Sequence, residues 1–207
     1  MNALKNTENK QIIKMDLTKY KDKIYFISDT HIGHCNIIKY CNRPFSCIED
    51  MNQTIINNWN KVVPEDGIVF HLGDVTLKSP SSVVEIFKSL NGLKYLIKGN
   101  HDIKLHQYGS VFHEISEQKT IKIENEIIHL NHFPLLCFPE NHINLFGHVH
   151  LSKTKNEGSD FERCTHLTPN QYDIGCDFND YTPISWNEVY EKIKFQRKNN
   201  VSCLYWI

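Results

Sequence analysis

The chain has 207 residues, a formal net charge of −1 and 40% hydrophobic residues. That length suits one domain with room for a core, and the near-zero charge argues against broad electrostatic binding to long nucleic acid. No apolar run is long enough to span a bilayer and the lysine-rich start lacks a signal-peptide core, so no membrane contact and a cytoplasmic location are expected. The seven cysteines include no Cys-x-x-Cys pair, and an odd number without an export signal reads as free thiols in a reducing compartment.

In chain order, residues 1–20 are expected as a loosely ordered lead and residues 21–207 as a single domain. Ile24-Tyr25-Phe26-Ile27 is the first short β-branched and aromatic run of strand type. Met51, Ile55, Trp59 and Val62 keep near-helical spacing behind Glu49-Asp50, whose charges suit a helix N-terminus. Ile68-Val69-Phe70 reads as a strand, and Ser79-Pro80 opens a second helix through Val83, Val84, Phe87 and Leu90, stopped by Asn91-Gly92. Tyr95-Leu96-Ile97 is another strand, and Thr120 to Ile123 and Ile127 to Leu130 form a hairpin around Glu124-Asn125-Glu126. After the strand Ile143-Asn144-Leu145-Phe146, the polar stretch Lys153 to Thr168 reads as a mobile loop near the site, before a late strand near Tyr172 to Gly175. Ser185-x-x-Glu188 is a capping box opening a helix with Val189, Tyr190 and Ile193. Mixed strands and helices with an internal hairpin fit an α/β sandwich.

Five polar signatures each follow an apolar run: Asp29-Thr30-His31, Gly73-Asp74, Gly99-Asn100-His101-Asp102, Asn131-His132 and Gly147-His148-Val149-His150. Carboxylate, amide oxygen and imidazole are the ligand types of hard and borderline divalent cations. Placed after strands, they can converge at one edge of the fold, and there are enough of them for two ions, an arrangement suited to phosphoryl chemistry. His71 and His129 lie in apolar runs and read as packed core histidines, and His106, His113, His142 and His166 as structural or solvated.

In that order, the five blocks resemble the calcineurin-like metallophosphoesterase superfamily. The stretch His34 to Phe45 and the tail Asp173-Ile174-Gly175-Cys176-Asp177 with Pro183-Ile184-Ser185 resemble its small single-domain bacterial and phage members. The resemblance implies a β-sandwich flanked by helices in four α/β/β/α layers. It implies Asp29, His31 and His150 on a first metal, Asn100, His132 and His148 on a second, and Asp74 between the two. It also places His101 against the substrate, off the metals, as general acid or transition-state stabiliser, with Asp102 accepting its other ring N–H. The tail carries no assigned role beyond closing the sheet.

The implied chemistry is hydrolysis by in-line attack of a hydroxide bridging two divalent ions, with Mn²⁺ favoured and Fe, Ni²⁺ or Zn²⁺ compatible with mixed O/N ligation. His34 and Arg43, on the loop after the first signature, are the candidate substrate contacts. Their plainer readings are a surface histidine and a salt-bridge or helix-cap arginine. A phosphomonoester dianion calls for arginines, and the chain has three. Val75-Thr76-Leu77-Lys78 also lacks the Val-Asp-Arg-Gly continuation of the protein phosphatases in this superfamily. The expected substrate is a phosphodiester, a nucleotide or cyclic nucleotide. A phosphomonoesterase, a nuclease on short nucleic acid and a non-catalytic metal-binding module are the alternatives.

Overall fold

Two five-stranded sheets form the centre of the protein, described by a computed structural model for residues 15–152 and 159–207. The strands are β1 (Met15–Asp16), β2 (Ile24–Ile27), β3 (Ile68–His71), β4 (Leu93–Ile97), β5 (Glu114–Ser116), β6 (Lys119–Ile123), β7 (Glu126–Leu130), β8 (Ile143–Phe146), β9 (Gln171–Asp173) and β10 (Ile184–Ser185). One sheet has the order β10-β2-β3-β4-β5, parallel except for β10. The other has the order β1-β6-β7-β8-β9, with only β6 and β7 antiparallel.

Strand alternation divides the core into two parts. Phe26, Phe70 and Tyr95 point between the sheets, stacked at 5.8 and 4.9 Å, and meet Ile121, Ile128, Leu130 and Leu145 from the facing sheet. Ile27, Val69 and Leu96 point outward and are covered by Met51, Ile55 and Trp59 of α2 (Ile48–Val62) and by Phe87 of α3 (Val84–Ser89). α1 (Cys35–Tyr40) follows β2 and α4 (Ser159–Cys164) precedes β9. α5 (Trp186–Asn199) packs on β2, β9 and β10 through Trp186, Val189 and Ile193. Every residue of β3 and β8 is buried, which is why both read as mostly apolar runs, broken only by His71 and Asn144, rather than as alternating ones. Among the described residues no helix is long and apolar enough to cross a membrane.

The hairpin forms with Ile121 opposite Ile128, and Glu124 takes the left-handed turn conformation at φ 54°. The Ser185 capping box forms in both directions. Other elements differ from expectation. The helix expected from Ser79-Pro80 breaks into a 3₁₀ turn, Pro80–Ser82, and α3 begins only at Val84. Ser82 donates both its N–H and its hydroxyl to the Ser79 carbonyl, a local turn that competes with helix. Residues 15–20 of the expected lead form regular structure. Met15 pairs with Ile121, Leu17 is buried in the core, and a 3₁₀ turn spans Thr18–Lys23. Residues 1–14 of that lead, and 153–158 of the expected loop, lie outside the described residues, and the loop's later part is the helix α4 with Cys164 buried.

The sheets meet at one end. A parallel bridge joins Ser28, just past β2, to Gly175, just past β9, and Cys176 N–H donates to the Ser28 carbonyl at 3.0 Å. The segments following β2, β3, β4, β7, β8 and β9 therefore converge.

Candidate metal centre

Five of the expected ligands sit in left-handed backbone: Asp29 at φ 58°, His31 at 48°, Asp74 at 57°, His148 at 73° and His150 at 49°. Each such residue costs on the order of 1–3 kcal/mol and persists only where its surroundings impose it. Cross-links between the segments impose it here. Asp29 N–H donates to the Gly73 carbonyl and His31 N–H to the Asp74 carbonyl, both at 3.0 Å. His148 N–H donates to Asp29 Oδ2 at 3.0 Å. Two glycines make room: a Cβ at Gly99 would collide with Asp74 Oδ1, and one at Gly147 with Ser28 Oγ and Asp29 Oδ2.

The side chains gather in two sets. Asp29, His31 and His150 bring one ligand atom each within 4.8 Å of one another, as do Asp74, His132 and His148. Asp74 lies between them, its Oδ2 3.7 Å from His31 Nε2 and 3.5 Å from His132 Nε2. Asn100 Oδ1 is 2.9 Å from His132 Nε2. His132 Nδ1 is 2.7 Å from the Leu72 carbonyl and His150 Nδ1 is 2.8 Å from Asp177 Oδ2, so in both rings Nε2 is the atom turned to the centre. Asp29 Oδ1 and both ring nitrogens of His31 are buried without any hydrogen-bond partner. Buried polar atoms are rarely left so, and the donor set fits divalent cations that would satisfy them.

Without an ion, the carboxylates of the centre draw positive charge onto a neighbouring imidazole, a proton that a bound cation would displace. Burial, with His150 beside it, holds His31 well below the usual imidazole range, and so neutral. Burial opposes charge on Asp74, but His132 holds its carboxyl well below the usual range. Burial likewise opposes charge on His132, yet Asp74 and Asp29 push it up to about 9.

The remaining expected site residues divide. His101 reaches the centre, its ring 40% exposed, with Nε2 3.8 Å from Asp74 Oδ2 and its centroid 5.7 Å from that of His31. His34 is also at the rim, 5.7 Å from the His31 ring, and burial with His101 nearby lowers its pKa. Asp102 does not hold the His101 ring as expected. Its carboxylate accepts from the backbone N–H of Gly99, Asp74 and Val75 and from Tyr108 Oη, so it ties two ligand-bearing turns together. Arg43, expected toward the substrate, lies beneath the centre instead. Buried, it donates from Nε and Nη2 to the two Asp177 oxygens at 2.8 and 2.7 Å, and to the Asp29 and Thr30 carbonyls at 2.7 and 3.2 Å.

The family model for calcineurin-like phosphoesterases matches residues 22–201. The chain belongs to this family. It is a metal-dependent phosphoesterase, built as two sheets flanked by helices. An uncharacterized protein of Methanocaldococcus jannaschii is 43% identical over 121 residues, 53% of this chain and 69% of that protein. The gene 66 protein of Mycobacterium phage L5 is 33% identical over 81 residues, 38% of this chain and 39% of the phage protein. A solved structure, a protein of unknown function from Aquifex aeolicus, is similar at a TM-score of 0.64 and 29% identity over 81% of this chain and 97% of that one.

Two carboxylates of this phosphoesterase were given no site role by sequence reasoning. Asp177 orients His150 and is itself held by Arg43, which keeps its carboxyl well below the usual range against the effect of burial. Cys41 joins His150 and Asp177 in a third close group of ligand atoms. Asp173 is fully buried, accepts from Gly175 N–H at 2.7 Å through Oδ1 and has no partner on Oδ2. The sequence signals were the resemblance of the tail Asp173 to Asp177 to the small family members and the acidic pair itself, Asp173 ending β9 and Asp177 just beyond Gly175.

Burial, with Asp29 adding to it, pushes the Asp173 carboxyl up to about 8. Between the unfolded value near 4 and that folded value, the native protein keeps a proton that the unfolded chain releases. This group therefore costs stability increasingly as pH rises across that window, up to on the order of 5 kcal/mol. Asp173→Asn is expected to raise the melting temperature of the metal-free protein clearly at pH 8.5 and little at pH 5. Equal shifts at the two pH values in calorimetry would contradict this account of Asp173.

Proposed function

We propose that the protein hydrolyses a phosphodiester, in the form of a nucleotide or cyclic nucleotide, at a centre of two divalent cations, with Mn²⁺ the favoured metal. The observation that carries the reading is the pair of three-residue sets with Asp74 between them and unpartnered buried donors at Asp29 and His31. Asp29, His31 and His150 would hold one ion, Asn100, His132 and His148 the other, and Asp74 both. When bound, such a pair supplies an activated water and offsets charge on the phosphoryl oxygens.

The protein's own groups do the rest. The strained turns fix the ligand directions in advance, so little reorganisation accompanies the reaction. Half-exposed His101 stands beside Asp74 with its ring free to give a proton to the departing ester oxygen. The preference for a diester draws support from the arginines. Arg43 is spent beneath the centre and Arg197 on Glu126, so neither described guanidinium faces a substrate that would carry the second charge of a monoester.

His101→Ala is expected to lower kcat by about 10²–10⁴-fold while leaving bound metal unchanged. The check is steady-state hydrolysis of a bis-aryl phosphate by Mn²⁺-loaded protein, with metal content measured on the same sample. An unchanged kcat would remove His101 from the reaction. Faster cleavage of the mono-aryl than of the bis-aryl phosphate would overturn the diester assignment.

A further inference from the structure

Directly after His132 the chain runs Phe133-Pro134-Leu135-Leu136, four apolar residues in an irregular segment. Phe133 is 49% and Leu136 93% exposed, beside a predominantly apolar hollow of about 390 Å³ lined by Phe133, Leu135, Leu136, Val149 and Leu167. His148, in the set around Asp74, forms part of the same wall, its ring 4.4 Å from that of Phe133.

The wall is braced. Leu135 N–H donates to Asn144 Oδ1 and its carbonyl accepts from Gln171 Nε2, both at 3.0 Å, and Asn144 and Gln171 are buried and bonded to each other. A segment pinned by both backbone groups of one residue to buried amides presents its side chains on a fixed platform. Pre-organised apolar surface beside polar chemistry is what a ligand's flat, poorly hydrated part requires. A second, smaller hollow that Phe133 also borders is lined by Lys98, Asn100, Ile103 and Glu117, with less apolar surface than the first.

We propose that the hollow between Phe133 and Leu167 is the subsite for an aromatic ring carried by the substrate's phosphate ester, a nucleobase in a nucleotide. This inference rests on the proposed phosphodiester reading and adds a direction to it: phosphate at the two sets, base past His148 against Phe133 and Leu136. An aromatic face packed on such side chains contributes about tenfold or more in affinity.

The test is calorimetric binding to Mn²⁺-loaded protein of two diester probes, one with and one without the base, adenosine 5′-(methyl phosphate) and 1-O-methylribose 5-(methyl phosphate). The nucleotide is expected to bind about tenfold or more tightly. Leu136→Asp, at a side chain exposed enough not to threaten folding, is expected to bring the two constants within about twofold. Phe133→Ala is expected to act in the same direction. Equal affinities in the unaltered protein, or a preference that survives both substitutions, would overturn the subsite while leaving the phosphate reading intact. Failure of both probes to bind loaded protein would overturn the underlying reading, and the subsite with it.

Discussion

Asp74→Asn is expected to cut turnover by about 10³-fold or more and to weaken cation binding at both sets. The carboxylate is the group common to them, within 3.7 Å of His31 Nε2 and 3.5 Å of His132 Nε2. Asparagine keeps an oxygen in the place where Asp74 Oδ1 accepts from His101 N–H, so the turn after β4 retains its anchor. What would be lost is the negative charge between the two proposed cations. A loss of about 4 kcal/mol in stabilising the reacting centre corresponds to roughly 10³-fold in rate. Steady-state kinetics in saturating Mn²⁺, with metal counted by plasma mass spectrometry, checks both parts. Turnover within a few-fold of the unaltered protein would show that Asp74 is not shared.

Arg43→Met is expected to be the most destabilising of the changes considered. Removing one partner of a buried, hydrogen-bonded ion pair costs about 3–5 kcal/mol, because the other charge stays buried without compensation. In a chain of this size that lowers the melting temperature by roughly 6–20 °C. Arg43 also holds the carbonyls of Asp29 and Thr30 while its bond to Asp177 steadies His150, so all three residues of the first set are positioned around one guanidinium. The variant should therefore lose cation affinity at that set more than at the set containing His132. Arg43→Lys should not restore it, since an ammonium cannot bond both Asp177 oxygens and two carbonyls in one plane. Thermal melting and a two-phase metal titration read these effects. A shift below about 2 °C with both phases unchanged would show that the pair contributes nothing to the centre.

The readability of this protein from its residues follows physical lines. The strands leading to the site were legible because β3 and β8 are buried on both faces and are mostly apolar, with His71 and Asn144 their polar members. The ligand turns were legible because Gly73, Gly99 and Gly147 and the polar residues beside them punctuate those runs. Asp102 and Arg43 were placed at the centre but given the wrong partners. Which partner a buried carboxylate or guanidinium takes depends on segments far away in sequence, Asp74 and Val75 for the first and Asp177 for the second. The Asp177–His150 contact spans 27 residues, with α4 and β9 between, a distance at which spacing carries no information. The packing of residues 15–17 into the domain was missed for a similar reason. Met15 and Asp16 form only two strand pairs, too few to show periodicity, and Leu17 is held by tertiary packing.

The central claim is that two cations act together on a phosphodiester at the sets joined by Asp74. The most direct measurement is the rate of bis-aryl phosphate hydrolysis followed as Mn²⁺ is added stepwise to chelator-stripped protein, with bound metal determined at every step. The account predicts little activity up to one ion per chain and a rise to a plateau at two. Full activity at one bound ion, or two bound ions without turnover of this diester, would contradict it.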